Sequence, residues 1–594
     1  MVSLDVTETS KSLAVAGGYV TFFGVFSYFV KEKLFVSEAL IALIVGIITG
    51  PVALNWFNPF EWSEDQSYLT HQITRVIIAI QVLFTGIDLP AKYLKKEWMS
   101  LATLLGPIMT TAWFVTSLLV WGLIPGLTFL ESLVIGACVT PTDPVLANAI
   151  CKGRFAEKHV PLHVRNIIVA EAGANDGLGF PFLFLAIYLI LIHEPTHPQH
   201  NIGGAIGEWF YNIIFYQVTL ASIIGAGMGF LARKLLRFAK HRQLIDHESF
   251  LSFGIALTFF TLGWVGMIGS DDIFCCFIVG NSFTWDDWFR LETEEHGFQD
   301  VIDQLLNSAI FLYVGAIIPW SDFTKYGLAP WRMVVLGLLV MLLRRLPWVW
   351  ALSRWIPSLK TTRESLFAGW FGPIGVGAVF YVQVALDALP EDGTREHLRE
   401  VLLPTVYFLV FTSIVVHGVT VPLGKSAQMA RSRTLQFTNS QSRTSTNTGF
   451  VSSNDRISRL PPPVMIPRTD SPVSMRDRDS TMNGNQTTIK FDDQVSAGMS
   501  NNNGSKSANH SRSNSRRVSL DKQNNDTNTN SPSTSSTAAA ASNNEHRRNN
   551  DPNADQGEDY GRETAADRMK GRIWREGSHL VKESEDGEKV TILR

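Results

Sequence analysis

The chain has 594 residues, of which 46% are hydrophobic, and its formal net charge of −3 averages two unlike regions. Between about Ala14 and Gly424, apolar segments of about 20 residues recur with short polar breaks, which excludes a soluble globular domain for this part. From Ser426 onward the composition is mainly Ser, Asn, Thr, Arg and Asp. This part has too few aromatic and branched aliphatic residues to offset the entropy of ordering, so disorder is predicted.

Three regions follow from this division: a short extracellular N-terminus (1–13), a transmembrane domain (14–424) and a disordered cytoplasmic tail (425–594). The first region lacks the basic segment of a cleavable signal peptide, so the first span is expected to insert uncleaved. The cysteines lack zinc-ligand spacing and are predicted to be small buried hydrophobes: Cys138, Cys151, Cys275 and Cys276. No cofactor and no nucleic-acid partner is expected.

Hydropathy predicts thirteen spans and therefore an all-α polytopic membrane protein. The predicted spans are 14–30, 37–55, 69–88, 100–122, 129–150, 164–192, 205–231, 249–268, 272–288, 302–318, 331–350, 366–386 and 401–424. Lys and Arg fall in alternate connections, which places the N-terminus outside and the tail in the cytosol. The short segments around Ser270–Asp272 can also be interpreted as one broken or re-entrant span, which would give twelve spans and reverse the N-terminus.

Two segments interrupt apolar spans. The TPTDPV run from Thr140 to Val145 places two prolines in the fifth span, so its helix is predicted to break near Asp143. The GWFGPIGVG run from Gly369 to Gly377 interrupts the twelfth span in a similar way. Paired broken helices indicate inverted repeats that cross at a midplane ion site. Asp143 before Pro144 is also an ordinary helix N-cap, and both interpretations can hold together.

The sixth span carries Glu171, Asn175 and Asp176 between two apolar runs. A charged side chain at the bilayer centre costs about 3 kcal/mol, so acids at this depth indicate a functional site. Glu171 and Asp176 are about 140° apart around a helix, so different roles are expected for them. Asn175 and Asp176 are placed to face the break at Asp143, whereas Glu171 needs a cationic partner.

The eleventh span supplies the candidate partners, Arg344 and Arg345. We predict that Arg345 pairs with Glu171 and that Arg344 extends to the cytosolic interface. Asp271 and Asp272 have two interpretations: they end a span at the outer interface, or they line a funnel that concentrates cations.

These features together indicate a carrier whose acids bind a cation. A buried carboxylate is costly to leave charged and unpaired, so Asp176 is predicted to hold either a proton or a small hard cation. Competition for one site couples the two flows. If the site is exposed alternately to the two faces, the result is antiport.

Four stretches, in the same order, resemble the signatures of monovalent cation/proton antiporters, specifically the fungal plasma-membrane Na⁺(K⁺)/H⁺ antiporters. They are Thr140 to Val145, Ala170 to Gly177, Phe311 to Pro319 and Gly369 to Ala378. The resemblance implies the sodium/proton antiporter fold, a homodimer and elevator-like alternating access. It also implies export of Na⁺ and Li⁺, with K⁺ as a further candidate, in exchange for H⁺. Salt tolerance and cytosolic pH and cation homeostasis would follow.

The resemblance also assigns roles to residues. The ion- and proton-binding group would comprise Thr142, Asp143, Asn175 and Asp176, with the two aspartates as the metal ligands. Glu171 and Arg345 would form a structural ion pair. Fungal members also share the acidic pair at Asp271 and Asp272.

Two departures limit this transfer. Ala172 stands where many bacterial and animal relatives have Ser, and Leu83 to Gly86 stands where some have an acid. Three rival classes are distinguishable. An intramembrane aspartyl protease would carry G-x-G-D, whereas the order here is Asp176 to Gly179, D-G-L-G. A cation channel would lack proton coupling, and a sensor acting through its tail would still function with Asp143 and Asp176 neutralised.

The expected location is the plasma membrane, with lipids, a second copy and a kinase or regulatory protein on the tail as partners. Ser519 follows two arginines in a pattern that basophilic kinases favour, so it is a candidate phosphorylation site. Lys425 to Arg433 is basic and is placed to lie along the anionic inner leaflet. His417 is interpreted as a satisfied core histidine, with a pH-responsive group as the alternative.

Overall fold

The computed structural model describes residues 6–34, 36–151, 160–192, 201–293, 297–391 and 393–444, together with three short strands near the C-terminus. The candidate phosphorylation site Ser519 lies outside these residues.

The membrane part is helical throughout the described ranges. Its helices are α1 (Glu8–Phe29), α2 (Glu38–Thr49), α3 (Gln66–Asp88), α4 (Tyr93–Lys96), α5 (Trp98–Leu123), α6 (Phe129–Cys138), α7 (Pro144–Cys151), α8 (Leu162–Asn175), α9 (Phe180–Leu191) and α10 (Ile202–His241). They continue with α11 (His247–Ile268), α12 (Asp272–Phe283), α13 (Trp288–Thr293), α14 (Phe298–Ala316), α15 (Pro330–Leu343), α16 (Leu346–Ala351), α17 (Thr362–Trp370), α18 (Val376–Ala388) and α19 (Glu396–Thr444). Short 3₁₀ turns lie at Pro59–Glu61, Trp320–Thr324 and Ser353–Trp355.

Eight helical stretches of the described chain are long and apolar enough to cross a bilayer, and four shorter apolar helices accompany them. Each predicted span contains helix, but the number of crossings stays a prediction. The segments on either side of Ser270 are two separate helices. α11 ends at Ile268 and is followed by Gly269, whose φ of +78° is the left-handed conformation that terminates many helices.

Small residues allow the helices to approach closely. Gly86 on α3 faces α12, where a Cβ would lie 2.7 Å from the Phe277 carbonyl oxygen. Gly280 on α12 faces the Leu83 carbonyl of α3 in the same way. Such close backbone contacts drive helix packing in membranes, where lipid offers no hydrophobic gradient. The four cysteines are buried, as predicted.

Two segments of the predicted tail have regular structure in the described chain, and disorder of the tail stays a prediction. α19 continues to Thr444, beyond the predicted end of the last span. β1 (Ile573–Glu576), β2 (His579–Glu583) and β3 (Lys589–Ile592) form an antiparallel sheet in that order, with Trp574 opposite Val581. The average composition of the tail concealed these short stretches, which contain the β-branched and aromatic residues that favour strands.

Candidate ion-binding site

The two interrupted segments meet at their breaks. The Asp143 N–H donates to the Pro373 carbonyl at 2.9 Å, and the Val376 N–H at the start of α18 donates to Asp143 Oδ2 at 2.6 Å. Asp143 Oδ1 accepts from the N–H groups of Val145 at 2.7 Å and Leu146 at 3.3 Å, at the start of α7. One carboxylate therefore caps two half-helices, whose positive N-terminal ends both favour a negative charge there.

Glycines at the start of α18 make room for two carboxylates. A Cβ at Gly375 would overlap Asp143 Oδ2, and a Cβ at Gly377 would crowd Asp176 Oδ1. Asp143 and Asp176 therefore both lie against the first turn of α18. The glycine-rich sequence of this break is explained by the space that the two acids occupy.

Asp176 is 1% exposed, and neither of its carboxylate oxygens has a hydrogen-bond partner within the described ranges. Its neighbour Asn175 is fully engaged with Thr142. Asn175 Nδ2 donates to Thr142 Oγ1 at 2.7 Å, and Asn175 Oδ1 accepts the Thr142 N–H at 3.1 Å. An unpaired buried carboxylate is costly, so Asp176 is the group that a proton or a cation would satisfy.

Tyr381 on α18 holds the turn after Asp176, a contact that the sequence analysis missed. Its hydroxyl donates to the backbone carbonyl of Asp176 at 2.5 Å and lies 3.2 Å from that of Gly177. A tyrosine within an apolar, buried run was the available signal, because a buried hydroxyl normally has a partner.

The structure brings Glu171 and Arg345 together. The guanidinium makes a two-point contact with the carboxylate, with Nη2 to Oε2 at 2.5 Å, and both side chains are buried. Arg345 Nε also donates to the Ala368 carbonyl at 3.2 Å. This planar arrangement is the strongest geometry available to an arginine and a carboxylate.

The prediction that Arg344 extends to the cytosolic interface is wrong. Arg344 is 2% exposed, and its guanidinium donates to the Val139 carbonyl and, at 2.6 Å, to the Gly372 carbonyl. Helix ends leave carbonyls without intrahelical partners, and the five donors of an arginine can satisfy two such ends at once. Arg344 thus joins the two breaks. The prediction considered the cost of burying the charge of Arg344. It did not consider the backbone carbonyls at the two breaks, which lack helical partners and accept hydrogen bonds from the guanidinium.

Asp271 and Asp272 lie at the start of α12. Asp271 is the N-cap, with Oδ1 accepting the Phe274 N–H at 2.8 Å, and Asp272 pairs with Arg75 of α3, whose Nε lies 2.8 Å from Oδ2. Both acids are buried. Their place at the outer interface or in a funnel stays a prediction. Nothing in the sequence spacing pointed to Arg75.

His417 supports the break of the twelfth span from the last helix. Its Nε2 lies 3.0 Å from the Trp370 carbonyl oxygen, to which it can donate, and its Nδ1 lies 3.2 Å from the Ser413 hydroxyl, which can donate to it. The Ser413 hydroxyl accepts the Ile374 N–H at 2.8 Å. This geometry is that of a satisfied core histidine, the first of the two interpretations.

Known proteins resemble this chain in sequence. The family profile described as "Sodium/hydrogen exchanger, transmembrane" matches residues 19–423. The chain is 38% identical over 489 residues to the Na⁺/H⁺ antiporter 2 of Zygosaccharomyces rouxii, an overlap of 80% of this chain and 60% of that protein. It is 41% identical over 438 residues to the Na⁺/H⁺ antiporter of Saccharomyces cerevisiae, an overlap of 71% of this chain and 44% of that protein. It is 34% identical over 430 residues to a Na⁺/H⁺ antiporter of Schizosaccharomyces pombe, an overlap of 70% of this chain and 90% of that protein.

The chain therefore matches less than two thirds of the length of the first two relatives and nearly all of the third. Among solved structures, the sodium proton antiporter MjNhaP1 from Methanocaldococcus jannaschii has a similar fold. The TM-score is 0.52 at 14% identity, over 70% of this chain and 98% of that one. At this level of identity the likeness concerns the fold alone.

Proposed function

Because the chain belongs to the sodium/hydrogen exchanger family, we propose that it exchanges Na⁺ for H⁺ across a membrane by alternating access. The observation that carries the proposal is Asp176, buried with two unpaired carboxylate oxygens beside the crossing of two broken helices. A single site of this kind takes a proton or an alkali cation and cannot hold both. Oxygen ligands suit small hard cations such as Na⁺.

The other residues of the site have supporting roles in this proposal. Both oxygens of Asp143 already accept backbone N–H groups, so Asp143 would become a cation ligand only by giving one of them up. Asn175 and Thr142 hold each other and thereby orient the turn that carries Asp176. Glu171 and Arg345 are assigned a structural role as an ion pair next to this turn.

The two breaks would move as one unit. Arg344 joins their carbonyls, and Asp143 joins their half-helices. A unit that carries the ion site and slides against the remaining helices exposes Asp176 first to one face and then to the other. Transport of Li⁺ and K⁺, a homodimer, a plasma-membrane location with the tail in the cytosol, and salt tolerance all belong to this proposal.

Purified full-length protein in liposomes tests the proposal. With an acidic interior reported by a pH-sensitive dye and the voltage clamped, external Na⁺ is expected to collapse the pH gradient. Li⁺ and K⁺ added in turn give the selectivity, and liposomes without protein are the control. A channel would conduct Na⁺ and leave the gradient in place. Absence of any Na⁺-dependent change in the gradient would contradict antiport.

A further inference from the structure

A cavity of about 300 Å³ opens on the side that is predicted to be cytosolic. Three helices of the ion-site region contribute to its wall: Phe84 and Asp88 on α3, Cys151 on α7 and Val169 on α8. The remaining wall comes from α11, α13 and α14. The cavity wall thus includes residues of α7 and α8, the helices next to Asp143 and Asp176.

Helix geometry identifies what lies between this cavity and the acids. On α8, Gly173 is about one turn from the cavity residue Val169 and one turn from Asp176. On α7, Asn148 lies between the cap at Asp143 and the cavity residue Cys151.

Thr85 of α3 lies at the same level, because a Cβ at Gly173 would be 2.6 Å from Thr85 Cγ2. Thr85 therefore lies against the turn of α8 between the cavity and Asp176, and Asn148 lies along α7 between the cavity and Asp143. We call these two side chains the intervening layer.

Both side chains in this layer have an unpaired buried oxygen. Thr85 is 1% exposed and Asn148 9% exposed, and neither Thr85 Oγ1 nor Asn148 Oδ1 has a hydrogen-bond partner among the residues described. An unpaired buried polar group costs about 1–3 kcal/mol, so such groups call for an explanation.

Most buried threonines of the described chain have a hydrogen-bonded hydroxyl. Several buried threonines donate to the carbonyl four residues earlier: Thr70, Thr74, Thr140, Thr258 and Thr261. Thr116 and Thr405 are also unpaired, but they lie on α5 and α19, which do not contribute to the cavity wall. Thr85 thus combines an unpaired hydroxyl with a position on the route.

We propose that Thr85 and Asn148 form an inner relay site, which binds an alkali cation between the cavity and Asp176. The inference rests on the exchange function proposed above. Hydroxyl and amide oxygens are hard ligands that suit Na⁺ and Li⁺. Because both groups are neutral, they would bind the cation weakly enough for it to move on. Neither group titrates near neutral pH, so the relay would act on the metal and not on the proton.

The experiment compares Thr85→Val and Asn148→Leu, singly and together, in vesicles of both orientations sorted by access to a tag on the tail. In the double variant, the KM for Na⁺ on the tail side is expected to rise about tenfold, or about 1.4 kcal/mol. The KM for Na⁺ on the opposite side is expected to change by less than about twofold, because the changes affect the path between the tail side and Asp176 and not the path from the opposite side. Thr116→Val is the matched control, because it removes an unpaired hydroxyl on α5, away from the cavity. It is expected to change neither the tail-side KM nor the KM on the opposite side.

If the double variant is active and its tail-side KM for Na⁺ is unchanged, the relay is wrong. The relay is also wrong if the KM rises equally on both sides. In either case the exchange proposal still stands. Failure of the unaltered protein to exchange Na⁺ for H⁺ would instead reject the function on which the relay rests. If the double variant does not fold, Thr85→Val is compared with Thr85→Ser. Serine keeps the oxygen and is expected to restore the tail-side KM, and equal values for the two variants would contradict the proposal.

Discussion

Asp176→Asn is expected to abolish Na⁺/H⁺ exchange while the protein still folds and inserts. Asparagine has nearly the same shape as aspartate, but it cannot take up a proton or offer a negative charge to a cation. The expected fall in rate is at least about 100-fold, or about 2.7 kcal/mol, since Asp176 is the buried carboxylate of the described structure whose two oxygens both lack a hydrogen-bond partner. The measurement is the Na⁺-dependent collapse of an imposed pH gradient in liposomes with equal amounts of protein.

The matched control for this variant is Asp322→Asn, which removes an acid that pairs with Lys325 in a connecting turn away from the crossing. It is expected to keep the full exchange rate, because exposed ion pairs contribute little. Full exchange by Asp176→Asn would reject Asp176 as the shared site, whatever the result for the control.

Glu171→Arg and Arg345→Glu are each expected to yield little folded protein, because each leaves two like charges buried side by side. Removing one partner of a buried pair typically costs about 3–5 kcal/mol, which is a large part of the roughly 5–15 kcal/mol that stabilises an ordinary domain. The variant with both changes restores opposite charges and is expected to recover part of the folded protein. Recovery is incomplete because Arg345 also donates to the Ala368 carbonyl, which glutamate cannot do.

The yield of monodisperse protein and its melting temperature measure this rescue. Lys325→Glu provides a charge change at an exposed position and is expected to leave both values near those of the unaltered protein. A double variant no better than the two single ones would show that the contact between Glu171 and Arg345 does not support the fold.

Local sequence rules located the two breaks. Two prolines around Asp143 predicted the first of them, and the N-cap interpretation is confirmed, because the Asp143 carboxylate caps α7 and also accepts the Val376 N–H at the start of α18. The role of Asp143 at an ion site stays a proposal. Burial alone required a partner for Glu171, and the otherwise apolar eleventh span offered Arg344 and Arg345 as candidates. These inferences used rules that act within one helix or on the cost of an isolated charge.

Contacts between distant segments were not predictable in the same way. Arg344 joins carbonyls that become unpaired only when both helices break, and Arg75 meets Asp272 from a helix far away in sequence. Hydropathy places such residues in spans but says nothing about which spans are neighbours. The sheet between Ile573 and Ile592 was missed because composition was averaged over a long polar region.

Proton release on Na⁺ binding tests the central claim most directly. Purified protein in weakly buffered detergent solution is titrated with Na⁺ while heat and released H⁺ are recorded together. Because one carboxylate holds either ion, about one H⁺ should leave for each Na⁺ bound wherever the empty site is protonated, and the apparent Na⁺ affinity should fall as the pH is lowered. Asp176→Asn should show neither effect. Binding of Na⁺ to the unaltered protein without proton release at any pH would contradict the account.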